Sequence, residues 1–233
     1  MNVALILAKK NSSGLPGKNI LRWKGKTLLE HTINHLKNTR LFSDIYVSSN
    51  CKIIHRIAKK LGCKTIVRNN KLAKNKNYVE SVNHACKIIK NFKTITLPMV
   101  VQPVREYKIF KKMLNHLKKP DIDSVVTVEN FDSSTAWIYK TTNNKIYKIK
   151  NIDYSNDIAR RHDLVILNNA VVSFKYSSWK KSKGITPWPY LGSNIYYIKQ
   201  KKLNKNLKID INDLDDKKWF YKITNLLKWK KLY

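Results

Sequence analysis

The residues best suited to chemistry lie in one early loop, Ala8-Lys9-Lys10-Asn11-Ser12-Ser13-Gly14-Leu15-Pro16-Gly17-Lys18-Asn19. It follows an apolar run and precedes an amphipathic one. Gly14 and Gly17 permit backbone angles and close approaches that a side chain would block. Backbone N–H groups in such a loop can hold phosphate oxygens, and Lys9, Lys10 and Lys18 add positive charge beside them. The spacing is not that of a P-loop, which ends Gly-Lys-Ser/Thr, nor that of the dinucleotide glycine pattern. Phosphate binding is the chemistry this loop suggests, and a solvated lysine-rich turn is the competing reading.

Other constellations are weaker. His31 and His35 stand four apart with Glu30 beside them, a spacing that can bind zinc, but His-Glu-x-x-His is absent and the helix is otherwise core-facing. Cys51 would need an activating base to act as a nucleophile. None is evident, so a buried thiol is the better reading. Trp179, Trp188, Tyr190, Tyr196 and Tyr197 are interleaved with basic residues. Stacking on single-stranded nucleic acid has this look, and packing at a subunit interface is preferred. Lys222, Lys228, Lys230 and Lys231 read as a solvated face.

The elements that must position the loop alternate along the first half. Strands are expected at Val3–Ala8, Asp44–Ser48, Cys63–Val67, Thr94–Val101 and Ser124–Val128. Helices are expected near Thr27–Asn38, Ile53–Leu61, Val79–Ile89 and Tyr107–Leu117, from apolar positions at helical spacing such as Leu28, Leu29, Ile33 and Leu36. Gly62 stops the second helix. That alternation implies a parallel sheet covered on both faces, with the ligand beyond the carboxyl ends of the strands. The second half is less regular. A hairpin is expected at Thr135–Ile149 around Asn143-Asn144, a strand at Val165–Phe174, an irregular excursion over 175–195, a strand end at Ile209–Ile211 and a closing helix at Trp219–Trp229.

Composition bounds the rest. The chain has 233 residues, 47 Lys and Arg against 15 Asp and Glu, and a formal net charge of +32. A nucleic-acid partner is one explanation. However, lysine outnumbers arginine 40 to 7, the basic residues are spread along the chain, and asparagine reaches 25. Lysine, asparagine, isoleucine and tyrosine share AT-rich codons, so genome bias explains the composition without a partner. Nucleic acid is the weaker expectation. No apolar run approaches the roughly 20 residues of a membrane span. The run from Val3 to Ala8 is too short for a signal peptide. Cys51, Cys63 and Cys86 are too few and scattered for a disulfide framework or a zinc site. Cytoplasmic location with reduced thiols is expected.

The loop resembles the opening signature of the acylneuraminate cytidylyltransferases, Ala-Arg-Gly-Gly-Ser-Lys-Gly-x-Pro-x-Lys-Asn, matched at Ala8, Ser12, Gly14, Pro16, Lys18 and Asn19. Lys9 stands for the arginine, Asn11 for a glycine and Ser13 for a lysine. The likeness continues in order. Gly25-Lys26-Thr27-Leu28 is similar to Gly-Lys-Pro-Leu, and Tyr46-Val47-Ser48-Ser49-Asn50 to Val-Val-Ser-Thr-Asp. Arg68, Leu72 and Ala73 fall on Arg-Pro-x-x-Leu-Ala, and His84-Ala85 on a His-Ala pair. Gln102-Pro103 with Arg105 is similar to a shortened Gln-Pro-Thr-Ser-Pro-Leu-Arg, and Ser124–Val128 to Ser-Val-Val-Ser-Val. Arg161-His162-Asp163-Leu164 and Asn168-Asn169-Ala170 resemble Arg-Gln-Asp-Leu and Asn-Gly-Ala. Ile209-Asp210-Ile211-Asn212 resembles Ile-Asp-Ile-Asp.

The resemblance implies a three-layer αβα, Rossmann-like nucleotidyltransferase with a mostly parallel sheet, in one domain over 1–233. Residues 133–195 would supply contacts of a homodimer and part of a sugar pocket. It implies transfer of CMP from CTP to an acidic nine-carbon sugar, with release of pyrophosphate. Lys18 and Lys9 would be catalytic. Ala8, Lys9, Asn11, Ser12, Ser13, Asn19, Asn50 and Arg68 would bind nucleotide. Gln102, Arg105, Arg161 and Asn168 would bind sugar, and Asp210 and Asn212 magnesium. Asn50, Asn75 and Asn212 are amides where the family has aspartates, which weakens the expected hold on metal. Two loops, Gln102–Arg105 and Leu164–Asn168, are each shorter by three residues. An inactive relative kept as a binding or scaffold protein, and a basic nucleic-acid-binding protein, are the rival readings.

Overall fold

A computed structural model describes residues 1–12, 14–74, 78–103, 105–106, 108–130, 139–142, 145–148, 165–181, 188–199 and 211–226. In chain order the elements are β1 (Asn2–Leu7), β2 (Arg22–Trp23), β3 (Lys26–Thr27), α1 (Leu28–Thr39), β4 (Asp44–Ser49), α2 (Lys52–Lys60), β5 (Lys64–Val67), α3 (Asn70–Lys74) and α4 (Tyr78–Ile89). There follow β6 (Thr94–Pro98), α5 (Ile109–His116), β7 (Ser124–Asn130), β8 (Tyr139–Thr142), β9 (Lys145–Lys148), β10 (Val165–Lys175), α6 (Tyr176–Lys181), β11 (Ile195–Lys199) and α7 (Leu214–Leu226). The chain divides into two compact units, Met1–Thr127 with Asn169–Tyr233, and Val128–Asn168.

The larger unit is organised by β1. Val3, Leu5, Ala4 and Ile6 are all fully buried. Successive strand residues face opposite sides of a sheet, so this burial requires cover on both faces. Ala4 and Ile6 share a core with Leu29 and Ile33 of α1, Ile54 of α2 and Phe110 and Met113 of α5. α4 packs against β1 as well, burying Val82, Ala85 and Cys86. The sheet runs β11-β7-β10-β6-β1-β4-β5. β1 pairs in parallel with β4 and β6, and β4 with β5. The result is an α/β fold with a mostly parallel sheet flanked by helices.

The parallel order breaks at β10. β10 runs antiparallel to β6, with Val171 opposite Pro98 and Lys175 opposite Thr94. Its Ser173 side chain is satisfied inside the sheet. Ser173 and Thr96 share a hydrogen bond of 2.8 Å, and Thr127 exchanges bonds of 3.1 Å with the backbone of Val171. In the smaller unit, β8 and β9 form an antiparallel pair in which Thr142 stands opposite Lys145. That register brackets the expected Asn143-Asn144 turn, whose own residues lie outside those described.

Most first-half boundaries agree with the sequence to within two residues, and the differences have local causes. α3 occupies a stretch between the expected strand Cys63–Val67 and the expected helix Val79–Ile89. Its entry is capped by Asn69, whose Oδ1 accepts from Leu72 N at 2.7 Å, and its lysines mask the short helix. β6 ends at Pro98, three residues early, and Val100 and Val101 are buried in the following turn. α7 begins at Leu214, five residues early, because Asp213 caps Asp216 N at 2.8 Å and the first turn carries acids. α6 lies where an irregular excursion was expected, and β11 begins at the last residue of that stretch, Ile195. Ile211 is buried but is not in a strand.

α1 starts at a capping box. Thr27 Oγ1 accepts from Glu30 N at 3.1 Å, and Glu30 Oε2 accepts from Thr27 N at 2.6 Å. Since α1 follows directly from the loop and the β2–β3 ribbon, this box fixes where the loop ends. Thr27→Ala is expected to cost about 1 kcal/mol of stability. The midpoint of equilibrium urea unfolding should fall accordingly, and an unchanged midpoint would show that the box contributes nothing.

Candidate functional site

The carboxyl ends of β1 and β4 and the turn after β6 converge with residues 211–212. Ala8 N donates to Ser48 O at 3.0 Å, extending the β1–β4 ladder by one residue. Beyond it the chain leaves as a loop closed at its neck, where Gly17 N donates to Lys10 O at 3.2 Å. Gly17 has φ 71°, the left-handed region that favours glycine. Asn19 is buried, and its Nδ2 donates to Lys9 O at 2.9 Å. Ser12 and Leu15 are buried and Asn11 is exposed. The loop is thus a folded object rather than a solvated turn.

Two partners hold it from outside. Asn50, at the end of β4, accepts from Lys10 N at 3.0 Å through Oδ1. Asn212 accepts from Lys18 Nζ at 3.1 Å. The loop also approaches residue 212 at backbone level: a Cβ built on Gly14 would lie 2.4 Å from the Asn212 carbonyl oxygen. Residue 212 is itself placed by its neighbours. Ile211 N donates to Val101 O at 3.2 Å, and Asn212 N donates to Asp216 Oδ2 at 2.9 Å. α7 carries that segment and docks on the ribbon after the loop. Phe220 meets Trp23 edge-on at 5.2 Å, and the Tyr221 hydroxyl donates to Arg22 O.

Of the residues expected to act, Ala8, Lys9, Lys18, Asn19, Asn50 and Asn212 are therefore brought together. Arg68 is nearby but turned inward. It is 5% exposed, and its guanidinium donates to Ser48 O at 3.1 Å and Ser81 Oγ at 3.0 Å. Burial lowers its pKa, and neighbouring Tyr78 opposes the shift. Arg105 is 1% exposed and donates to Met99 O and, at 3.4 Å, to Ala170 O. It fastens the turn after β6 to β10, since Met99 N also donates to Ala170 O at 3.0 Å. Gln102 lies in the same turn, half-buried, with its N–H on Met99 O at 3.2 Å. Asn168 is half-buried on β10, within the smaller unit. Ser13, Asn75, Arg161 and Asp210 lie outside the described residues.

The sequence did not point to Asn70. Its Oδ1 accepts from Asn50 Nδ2 at 3.2 Å, tying β4 to α3. An Asn-Asn pair ahead of a short helix is the one signal that would have found it. Among the described residues no group of three or more His, Cys, Asp or Glu is arranged to hold a metal. Asp213 and Asp216 are committed to capping α7. His31 Nε2 donates to Trp23 O at 2.7 Å and its ring packs on that indole, which suits a helical face rather than a ligand. The three cysteines are free and buried, and burial pushes Cys63 up to about 11 and Cys86 up to about 12. Trp179 packs on Phe92 and Tyr176, and Tyr190 on Phe174, while Tyr196 and Tyr197 are exposed on β11. Among the described residues no helix is long and apolar enough to cross a membrane.

Comparison with known proteins gives a consistent answer. Residues 3–226 match the family model described as cytidylyltransferase. An N-acylneuraminate cytidylyltransferase of Streptococcus agalactiae serotype III is 23% identical over 220 residues, 92% of this chain and 51% of that protein. One from Escherichia coli O18:K1:H7 is 29% identical over 105 residues, 45% of this chain and 25% of that protein. The chain spans about half the length of the streptococcal relative. Among solved structures, a CMP:2-keto-3-deoxy-manno-octonic acid synthetase complexed with CTP superposes with TM-score 0.68 at 11% identity, covering 97% of this chain and 99% of that one. A 4-diphosphocytidyl-2C-methyl-D-erythritol synthase from Anaerococcus prevotii does so with TM-score 0.67 at 14% identity, covering 96% and 98%. These likenesses show a nucleotidyltransferase fold.

The two loop glycines are needed for different reasons. Gly14→Ala forces backbone against backbone and is expected to cost about 1–3 kcal/mol. Gly17→Ala meets no atom within 4 Å but keeps φ 71°, a strain of about 1 kcal/mol. Equilibrium unfolding of the two variants should rank Gly14→Ala as the more damaging. The reverse order would mean that the loop does not rest on residue 212.

Proposed function

The chain belongs to the cytidylyltransferase family, and from that premise we propose that it transfers CMP from CTP to the anomeric hydroxyl of an acidic nine-carbon sugar. The observation that carries the reading is the loop after β1. Folded at the mouth of that strand, it holds Lys18 3.1 Å from Asn212 on a separate segment. The relatives named N-acylneuraminate cytidylyltransferase support the sugar class.

In the proposed reaction the sugar oxygen attacks the α-phosphorus. The bond from that oxygen to phosphorus forms as the hydroxyl proton is given up to solvent, the bond from the α-phosphorus to the bridging oxygen breaks, and pyrophosphate leaves. Polyanionic nucleotide and sugar carboxylate must meet, so placement and charge neutralisation are the main tasks. Lys18 turns from Asn212 to the phosphates as they enter. Lys9, whose carbonyl Asn19 holds, adds its charge from the strand end. Arg161 would pair with the sugar carboxylate, because guanidinium offers two parallel donors. Gln102 borders the sugar end of the crevice. Arg68 and Arg105 act from below, holding the strand ends and turns on which the ligands rest.

Magnesium fits this site as a weakly held ion. The Asn212 side-chain oxygen already accepts one cationic group, so a lone pair is aimed where a cation sits, yet it carries no charge. Asp210 and Asn212 would hold the ion together with phosphate oxygens, and when bound it neutralises phosphate charge. A second reading, a relative that binds nucleotide without turnover, is favoured by the amides at 50 and 212.

Purified protein is expected to release pyrophosphate from CTP at high magnesium with at least one of sialic, legionaminic or pseudaminic acid, and to be protected from heat by CTP. Lys18→Ala should lower kcat/KM by about 10²–10³. Heat protection without pyrophosphate would favour the binding-protein reading. Neither effect with any acid would overturn the proposal.

A further inference from the structure

Lys10 is the neck residue of the loop, and its backbone is held on both sides. Its carbonyl accepts from Gly17 N at 3.2 Å, and its N–H donates to Asn50 Oδ1 at 3.0 Å. The backbone donor fixes how the Asn50 amide must lie. With Oδ1 facing Lys10, Nδ2 faces Asn70, and it donates to Asn70 Oδ1 at 3.2 Å. Asn70 is available for this because Asn69 does the capping of α3. A single side chain therefore joins the loop after β1, the end of β4 and the start of α3.

A carboxylate at position 50 would keep the acceptor for Lys10 N but would hold Asn70 only with the Asn70 amide turned to present its Nδ2. The carboxylate accepts at every position and donates at none. It would also set a negative charge against a loop that receives anions. An amide gives the donor on one side and the acceptor on the other without charge, so the grip on Lys10 does not compete with the phosphates for the loop's lysines.

We propose that Asn50 is the positioning residue of the nucleotide loop, acting through the Lys10 peptide, with Asn70 as its anchor. The proposal rests on the nucleotide reading above. It assigns to these two amides the pre-shaping of the loop's neck, at Lys10 and Gly17, before ligand arrives.

The test uses the whole chain and reads two quantities at each pH: the hydrogen-exchange protection factor of the Lys10 amide, and the dissociation constant for CTP relative to wild type at the same pH. Protection of core amides such as Ile6 and Val47 reports that each variant is folded. Asn50→Ala is expected to cut Lys10 protection about tenfold and to weaken CTP binding about three- to tenfold. The Asn50→Asp/Asn70→Asp pair places two carboxylates face to face. At pH 8 neither can donate, and both readouts should fall. On acidification to pH 5 the pair takes up a shared proton, the donor between 50 and 70 is restored, and both readouts should return toward wild type. Core-amide protection that stays constant across this pH range separates a positioning role from a merely structural one.

Lys10 protection unchanged in Asn50→Ala, or no recovery of the double variant on acidification, would overturn the proposal. Protection that falls while CTP affinity stays within twofold would overturn it too, since the grip would then not position the ligand. Absence of CTP binding by the wild type is a different result. It removes the nucleotide reading, and it is distinguishable because the exchange measurement still reports the Asn50–Lys10 bond.

Discussion

A chain with 47 basic and 15 acidic side chains cannot tie down its loops mainly with ion pairs. Neutral amides do that work around the loop after β1. Asn19 holds Lys9, Asn50 holds Lys10, Asn70 holds Asn50 and Asn212 holds Lys18. The ion pairs Lys64–Asp44 and Lys112–Glu106 lie elsewhere. The physical advantage is specific. An amide can accept and donate without cancelling a lysine, so the positive field of the site remains available to an incoming polyanion.

The same constraint links stability to function through α7. That helix begins at the Asp213 cap, docks by Phe220 on Trp23, and so places Asn212 against the loop. Trp23 in turn packs at a tilt against His31 of α1. Loop, ribbon, first helix and closing helix therefore form one packed corner. Contacts far along the chain decide where a residue near its start can place its ammonium group.

Much of this was legible in the sequence. β1, the glycine loop and α1 follow from an apolar run, turn residues and helical spacing, signals that depend only on neighbours along the chain. The order of family-like motifs then pointed to the loop, Asn50 and Asn212 as neighbours. What was not legible depends on direction rather than residue type. Arg68 and Arg105 read as ligands for anions, yet their guanidiniums face backbone carbonyls, and spacing cannot reveal which way a long side chain turns. Asn70 was hidden because its role exists only opposite Asn50. The antiparallel course of β10 was hidden because strand direction is set by tertiary pairing rather than by local pattern.

That course has a consequence for how the protein is made. β10 sits between β6 and β7, so the sheet's interior is closed by a segment synthesised well after β6. Until Val165–Lys175 has left the ribosome, one side of Thr94–Pro98 is an open edge, although all five of its residues are buried in the finished fold. An open apolar edge is a template for pairing with another chain. A nascent polypeptide stalled between these strands would carry the parallel half of its sheet with an unsealed seam, and completing the seam is what turns a collection of βα units into a closed fold.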